Sequence, residues 1–391
     1  MDTGQRWLAV GHCADIDSRR AGREAALLTV DGPEPALLIV YCSAEAEPTE
    51  VLAGIDEVYP GTPLIGCSSQ ALISTPGGLR QSGVVVTALG GAGFTVRTAV
   101  ASSAEGGQRA AGAAVAGCAA EVSGERPHRV LVLLADGSIG DQEEVIAGAY
   151  SVIGASAPLI GGSCGPNRSG GEFFQLHGRE VHTGSVVGAL IASEGPFGVG
   201  VRHGCRKVGE PMIVTRSVNG DLYTLDDQPA LTAYLGRLDA PPEAYTDPVV
   251  FQDFARSRPI GIRRRSGEEV RHVNAVGELR ETSLRSRGEV PEGGLIWVME
   301  GDHESVLEAA GEACRDAIDG LGGGEPLGLL AFDCISRSRM LGAVGTSDEA
   351  DRMLKEAQSA PVAGFYTWGE IARIRGINGY HNQTLAVLAV G

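Results

Sequence analysis

Apolar and polar positions along this chain follow an order that occurs three times. An apolar run closing on a small or polar residue is followed by an amphipathic stretch, then by Pro, two apolar residues and Gly. Leu38–Ser43 leads in this way to Pro63-Leu-Ile-Gly66, Val130–Asp136 to Pro158-Leu-Ile-Gly161, and Leu327–Cys334 to Pro361-Val-Ala-Gly364. Short apolar runs bounded by turn residues read as strands, and the longer amphipathic stretches between them as helices. Each copy extends on both sides. A strand-like run and an Ala-rich helical stretch come before it: Trp7–Val10 with Ala21–Leu28, Phe94–Val100 with Gly107–Val122, and Leu295–Met299 with Glu304–Ile318. An apolar strand closes it, at Val84–Leu89, Val186–Ala192 and Leu385–Val390. The pattern predicts an α/β fold of three related β-α-β-α-β units in mixed sheets, each roughly 90 residues long and so longer than a solenoid repeat.

Between the second and third copies the period changes. From about Gly195 to Gly294 the chain alternates apolar and polar residues, as in Val199–Cys205 and Met212–Val218, and Asn219-Gly220 is a hairpin turn leading into Asp221–Leu225. Pro229–Leu238 reads as a short helix after the capping pair Asp226-Asp227. Beyond the Pro-rich link Asp239–Glu243 come further strand-like runs at Pro259–Arg265, Val270–Val276 and Glu281–Leu284. This segment is a β-rich insertion. A boundary near Pro241 divides the chain into 1–240, two units and the hairpin, and 241–391, the remaining β-rich segment and the third unit.

Charge and composition narrow the function. A net charge of −17 argues against nucleic acid, whose phosphates require clustered cations. The one basic cluster singled out, Arg256–Arg265, reads as a solvated hairpin surface. Gly or a charge interrupts every apolar run well short of the roughly 20 residues that span a bilayer. The first residues lack a signal peptide's basic start and apolar core, so a cytoplasmic protein without a membrane partner is expected. The eight cysteines show no CxxC or zinc spacing and read as reduced thiols. The Ala- and Gly-rich helices, such as Ala110–Gly117, suit close packing against a sheet.

Several motifs resemble the FIST family of sensory proteins. The resemblance to the amino-terminal part rests on Pro63–Ser69, Pro158–Gly165 and the hairpin followed by Ala230–Tyr234. For the carboxy-terminal part it rests on Phe332–Arg337, Gly364–Ile371 and Tyr380–Thr384. It implies a signal-transduction module that binds a small ligand, with amino acids proposed for the family, and that passes the signal to an output. No output domain is recognisable in the chain, so a separate signalling partner is expected. A haem-bound nitric oxide sensor is a further branch of the same resemblance.

In α/β folds ligands gather beyond the carboxyl ends of the strands. Those ends carry Cys42 and Ser43, Asp136 to Ser138, and Asp333-Cys334 with Ser336 and Arg337; here Ser and Asp also serve as ordinary helix caps. Aromatic and charged residues concentrate in the third copy. Cys334, Arg337, Tyr366, Trp368, Glu370, His381 and Asn382 are therefore the candidate ligand-binding residues. Arg337 is suited to a ligand carboxylate, Glu370 to an ammonium group, Asn382 to orienting either, and Tyr366 and Trp368 to an apolar or cation–π wall. The structural alternative is that Arg337 and Glu370 pair with each other and His381 satisfies a strand end. A thiol-dependent enzyme with Cys334 as nucleophile, His381 as base and Glu370 as orienting acid is a different reading of the same residues. For haem, the candidate axial ligands are His12, His177, His182, His203, His272 and His381; no metal ligands can be named.

Overall fold

The computed structural model describes residues 5–391 apart from 31, 44, 76–78, 81, 105, 123–125, 167–172, 265–266, 276–282 and 375–378. The first unit comprises β1 (Trp7–Cys13), α1 (Ser18–Leu27), β2 (Pro35–Cys42), α2 (Pro48–Asp56), β3 (Leu64–Ser68), a short arm of β4 (Leu72–Ser74) and β5 (Leu79–Arg80), and β6 (Val84–Gly90). The second repeats the order with β7 (Phe94–Ser102), α3 (Gly107–Ala116), β8 (His128–Asp136), α4 (Gln142–Ile153), β9 (Leu159–Cys164), an arm of β10 (Gln175–His177) and β11 (Glu180–His182), and β12 (Ser185–Ser193). The third opens with β13 (Phe197–Arg202) and is then interrupted.

The interruption holds β14 (Arg206–Val218), β15 (Asp221–Leu225), β16 (Gln228–Pro229), α5 (Ala230–Arg237), α6 (Pro248–Ala255), β17 (Ile260–Arg264), β18 (Gly267–Arg271), β19 (Val273–Ala275), β20 (Leu284–Ser286) and β21 (Leu295–Glu300). The third unit resumes with α7 (His303–Asp319), β22 (Gly328–Cys334), α8 (Ile335–Ala357, broken at Gly342), β23 (Val362–Thr367), an arm of β24 (Glu370–Arg373) and β25 (Tyr380–His381), and β26 (Leu385–Val390). The expected pairing of Leu295–Met299 with the third unit therefore fails. That run is β21, hydrogen-bonded to β14 and β17 within the insertion, and the unit's own first strand is Phe197–Arg202 on β26. The insertion sits between a strand and its helix, a separation no local pattern reveals. Arg265 and the ends of the expected strands at Val276 and at Glu281 and Thr282 lie outside the described residues.

Each unit arranges its strands as first, closing, second, third: β1-β6-β2-β3, β7-β12-β8-β9 and β13-β26-β22-β23. The second and third strands are parallel and the closing strand is antiparallel to its neighbours. The arms are exchanged in a ring. Those of units two, three and one extend the sheets of units one, two and three, pairing β10 with β3, β24 with β9 and β4 with β23. Every third strand, otherwise an open edge, is thereby covered by a neighbour. Inward faces of the three sheets meet in one core that joins Tyr41, Val132, Phe332 and Phe365, while helices cover the outer faces.

Local sequence explains the elements. Asp17, Asp141 and Asp302 accept backbone N–H groups at the starts of α1, α4 and α7, and Ser305 completes a capping box. The small residues of α3 bring it against α4 as well as the sheet, since Gly112 packs on the Val145 carbonyl and Gly148 on that of Arg109. The insertion has its own core, with Leu231 and Tyr234 packed among Phe251, Ile260 and Ile296; the expected boundary near Pro241 falls inside it. Among the described residues no helix is long and apolar enough to cross a membrane.

Candidate functional site

The threefold pattern makes three strand ends directly comparable. Cys42, Ala135 and Asp333 pair with Val84, Val186 and Leu385 on the closing strands, so Ser43, Asp136 and Cys334 occupy equivalent places one residue further on. The arm residues beside them are Leu72, Gln175 and Glu370. In unit one the Ser43 hydroxyl accepts the Gly83 N–H and Leu72 adds nothing polar. In unit two Asp136 accepts from the Ser138 N–H and hydroxyl, Gln175 Nε2 and the Gly184 N–H, while Gln175 Oε1 accepts the Ser185 N–H. Both ends are satisfied internally, though not by capping the following helices, whose N-caps are Glu47 and Asp141.

Unit three differs. Glu370 is fully buried, accepts from the Thr367 hydroxyl and, at 3.2 Å, from the Thr384 N–H, and meets the Cys334 thiol. The Thr384 bond is the counterpart of Ser185 to Gln175. Burial outweighs these donors and raises the Glu370 carboxyl to about 8, so it carries a proton at neutral pH. Burial, then the Glu370 carboxyl, push the Cys334 thiol well up, the reverse of what a nucleophilic cysteine requires. His381 is the cross-strand neighbour of Glu370, but its Nε2 lies 3.0 Å from the Ala372 carbonyl and no hydrogen bond joins it to Cys334. Thiol, acid and imidazole therefore do not line up as a catalytic triad.

Arg337 and Tyr366 lie behind β22, between sheet and helices. Arg337 is fully buried, 2.9 Å from Asp333 and hydrogen-bonded to Glu349 and to the carbonyls of His203 and Val306. The ligand-clamping role expected for it is corrected by these bonds, which engage its guanidinium inside the protein; its partners are Asp333 and Glu349, not Glu370. Tyr366 is buried against the same cluster, not in a pocket wall.

Cys334, Trp368 and Asn382 do face a shared cavity of about 90 Å³, together with Ser336 and Arg339 from α8 and His272, Asn274 and Arg287 from the insertion. Among the described residues its lining holds two arginines and no carboxylate. The Arg287 guanidinium stands 5.2 Å from the Trp368 ring centre. Asn382 Oδ1 accepts the His272 N–H at 3.3 Å and its amide donates to the His381 carbonyl at 2.8 Å, which fixes its orientation. His272 Nδ1 lies 2.9 Å from the Gln383 amide; burial, then Arg287, pull its imidazole down to about 4, so it is neutral at physiological pH. Trp368 sits where the three units meet. Its equivalents are Gln70, whose Oε1 is 3.5 Å from the indole nitrogen, and Gly165, where a Cβ would come within 3.1 Å of the indole. Glycine at 165 gives the tryptophan of the third copy its closest fit there.

Arg287, Arg339 and Asn274 escaped sequence reasoning: Arg287 and Asn274 lie in the insertion, far from any Pro-x-x-Gly motif, and Arg339 is five residues past Cys334 in the following helix, while the sequence offers His272 only as a haem ligand and Ser336 only as part of the strand end. The remaining histidines are dispersed. His12 bonds the Ser82 carbonyl, His177 the Thr98 hydroxyl, and His203 accepts the Cys205 N–H. His182 stacks obliquely on His177 with ring centres 6.3 Å apart. Among the described residues no three metal-ligating side chains gather, and the cavity at His272 is far smaller than a haem macrocycle.

The raised carboxyl has a measurable consequence. Between the ordinary glutamate value of about 4.3 and about 8, the folded chain holds a proton at Glu370 that the unfolded chain has released, so this group's stabilisation is lost as pH rises through that window. Glu370→Gln, which copies Gln175 of unit two, removes that slope, approaching about 1.4 kcal/mol per pH unit. His203 and His272, lowered to about 4, act with opposite sign in both proteins and drop out of the difference. Urea unfolding of the two chains from pH 5 to 8 checks this; parallel curves would refute it.

Two family models match this chain. The FIST N domain matches residues 36–228 and the FIST C domain residues 230–373. An uncharacterized protein of Mycobacterium tuberculosis (strain H37Rv) is 25% identical over 97% of this chain and 98% of its own. An uncharacterized protein of Mycobacterium bovis is 24% identical over 97% of each. A solved structure, PurLQS from Thermotoga maritima, is 10% identical with a TM-score of 0.22 over 98% of this chain and 71% of that one, a likeness too weak to carry any argument.

Proposed function

The chain belongs to the FIST family of small-ligand-sensing domains associated with signal transduction, and we propose that it binds a compact carboxylate, an amino acid or similar small acid, in the cavity at the end of β22 and reports to a separate partner. The observation that carries this reading is that Arg287 and Arg339 both line a cavity in which, among the described residues, no acidic side chain does. A carboxylate is the complementary group for two guanidinium forks. Asn274, Asn382 and Ser336 offer orienting hydrogen bonds, and Trp368 a flat wall. The nearest acid, Glu370, lies behind Cys334 and is protonated near neutrality, so the site favours acidic ligands over basic ones. The cavity joins two bodies: His272, Asn274 and Arg287 belong to the insertion, the rest to the third unit. A ligand that bridges them favours one relative position of the two over others, which is how binding becomes a signal.

A thermal-shift screen of amino acids, small hydroxy and keto acids, phosphate and haem tests the reading. Carboxylates are expected to stabilise the wild type, and Arg287→Ala or Arg339→Ala to weaken the best of them by roughly tenfold or more. Both arginines are exposed, so the variants should fold. A wild type that no carboxylate stabilises, or variants that bind equally well, would sink it.

A further inference from the structure

At the opposite, amino-terminal ends of the strands, the seam between units two and three forms a groove of about 510 Å³. Its walls are Tyr150, Pro158, Phe197, Val199 and Ile374, and among the described residues its single charged lining residue is Arg373. The guanidinium lies 3.4 Å from the Tyr150 ring centre, and its buried Nε has no hydrogen-bond partner. A cation held on an aromatic face with apolar walls and no counter-charge in the lining is an incomplete ion pair.

The seam between units one and two shows the completed version. It is lined at corresponding places by Pro63, Thr98, Gly178 and Arg179; Gly178 bonds Leu64 where Arg373 pairs with Leu159. There the cation is Arg179, and Asp56 meets it at 2.6 Å. In the second seam the cation has moved one residue along the arm, and Tyr150 replaces a carboxylate as its neighbour. Two copies of one architectural position thus differ in whether the protein supplies the anion.

We propose that the groove between units two and three is a second binding site, distinct from the cavity at Cys334, for a small molecule with a carboxylate on an aromatic or branched apolar body. The carboxylate pairs with Arg373, and the body lies along Pro158, Phe197 and Val199. The site stands on its own whether or not the first one binds a ligand.

Fluorine NMR titration of the full chain with 4-fluorophenylacetate, and with the neutral 4-fluorophenylacetamide, tests it. The carboxylate should broaden and saturate below about 10 mM and the amide should not. Arg373→Gln should weaken binding at least roughly tenfold, Arg373→Lys should restore part of it, and the Arg287→Ala/Arg339→Ala double variant should bind as the wild type does. Because the guanidinium's partner among the described residues is the Tyr150 ring, its substitution should leave the unfolding midpoint nearly unchanged. No saturation by the carboxylate, equal binding of the amide, or loss in the Arg287/Arg339 variant with none in Arg373→Gln would overturn the proposal. Failure of the last kind would still leave the first site intact.

Discussion

Replacing Arg337 by alanine lowers stability by about 3–5 kcal/mol, the usual cost of breaking a buried ion cluster by removing one partner. Arg337, Asp333 and Glu349 are all fully buried, and two carboxyls share one guanidinium. Burial and the nearby Glu349 push the Asp333 carboxyl well above the ordinary range, so the cluster balances near neutrality by retaining a proton. Without Arg337 two carboxyls remain in a dry layer, and the ties to the His203 and Val306 carbonyls are lost as well. A triple change, Arg337→Met with Asp333→Asn and Glu349→Gln, removes the charges together and should recover a large part of the loss. The two roles considered for Arg337 separate cleanly here: a ligand clamp at a pocket wall would lose binding with stability intact, whereas an internal tie loses stability first. Urea unfolding that shows less than about 1 kcal/mol lost in Arg337→Ala would return the residue to the list of candidate ligand contacts.

The architecture was legible wherever it rests on local periodicity. Each β-α-β-α-β order came from apolar runs of strand length and Ala-rich amphipathic stretches, and the Pro-x-x-Gly motif located every third strand. What escaped was long-range. The arms are strands of only two to four residues, too short for a periodic signal, and their partners lie in other units, so the ring of exchanged arms has no local trace. The first strand of unit three went unrecognised because the whole insertion separates it from its helix. In the candidate site Cys334, Trp368 and Asn382 were found from their concentration in one motif copy. Arg337 was misjudged because at four residues beyond Asp333 it turns toward the helix layer, and sequence spacing alone does not say which side of a strand end a helix residue faces. Arg287 was missed because it arrives from the insertion, far in sequence from the third unit's motifs.

The divergence among the three copies points the same way. Ser43 is tied to Gly83, and Asp136 to Ser138, Gln175 and Gly184, whereas Cys334 meets Glu370 and lines a cavity.

The other large effect lies in the glycine that closes the repeated motif. At Gly66, Gly161 and Gly364 a Cβ would stand 2.3, 1.9 and 2.0 Å from the carbonyl oxygens of Val40, Leu133 and Ala331 on the neighbouring parallel strand. These oxygens belong to backbone inside a six-stranded sheet, so nothing flexible can give way. Gly161 also has φ of +145°, a conformation that side chains other than glycine rarely adopt. Gly161→Ala should therefore cost about 3 kcal/mol or more, by combined overpacking and backbone strain, and Gly364→Ala a comparable amount from packing alone. Gly117→Ala is the control: open space surrounds that position and its backbone is already helical, so alanine there should be neutral or stabilising by about 0.4–1 kcal/mol. Equilibrium unfolding of the three variants ranks them. If Gly161→Ala proved as stable as Gly117→Ala, close approach of the strands would no longer explain why the motif ends in glycine in every unit, and the threefold pattern would need another cause.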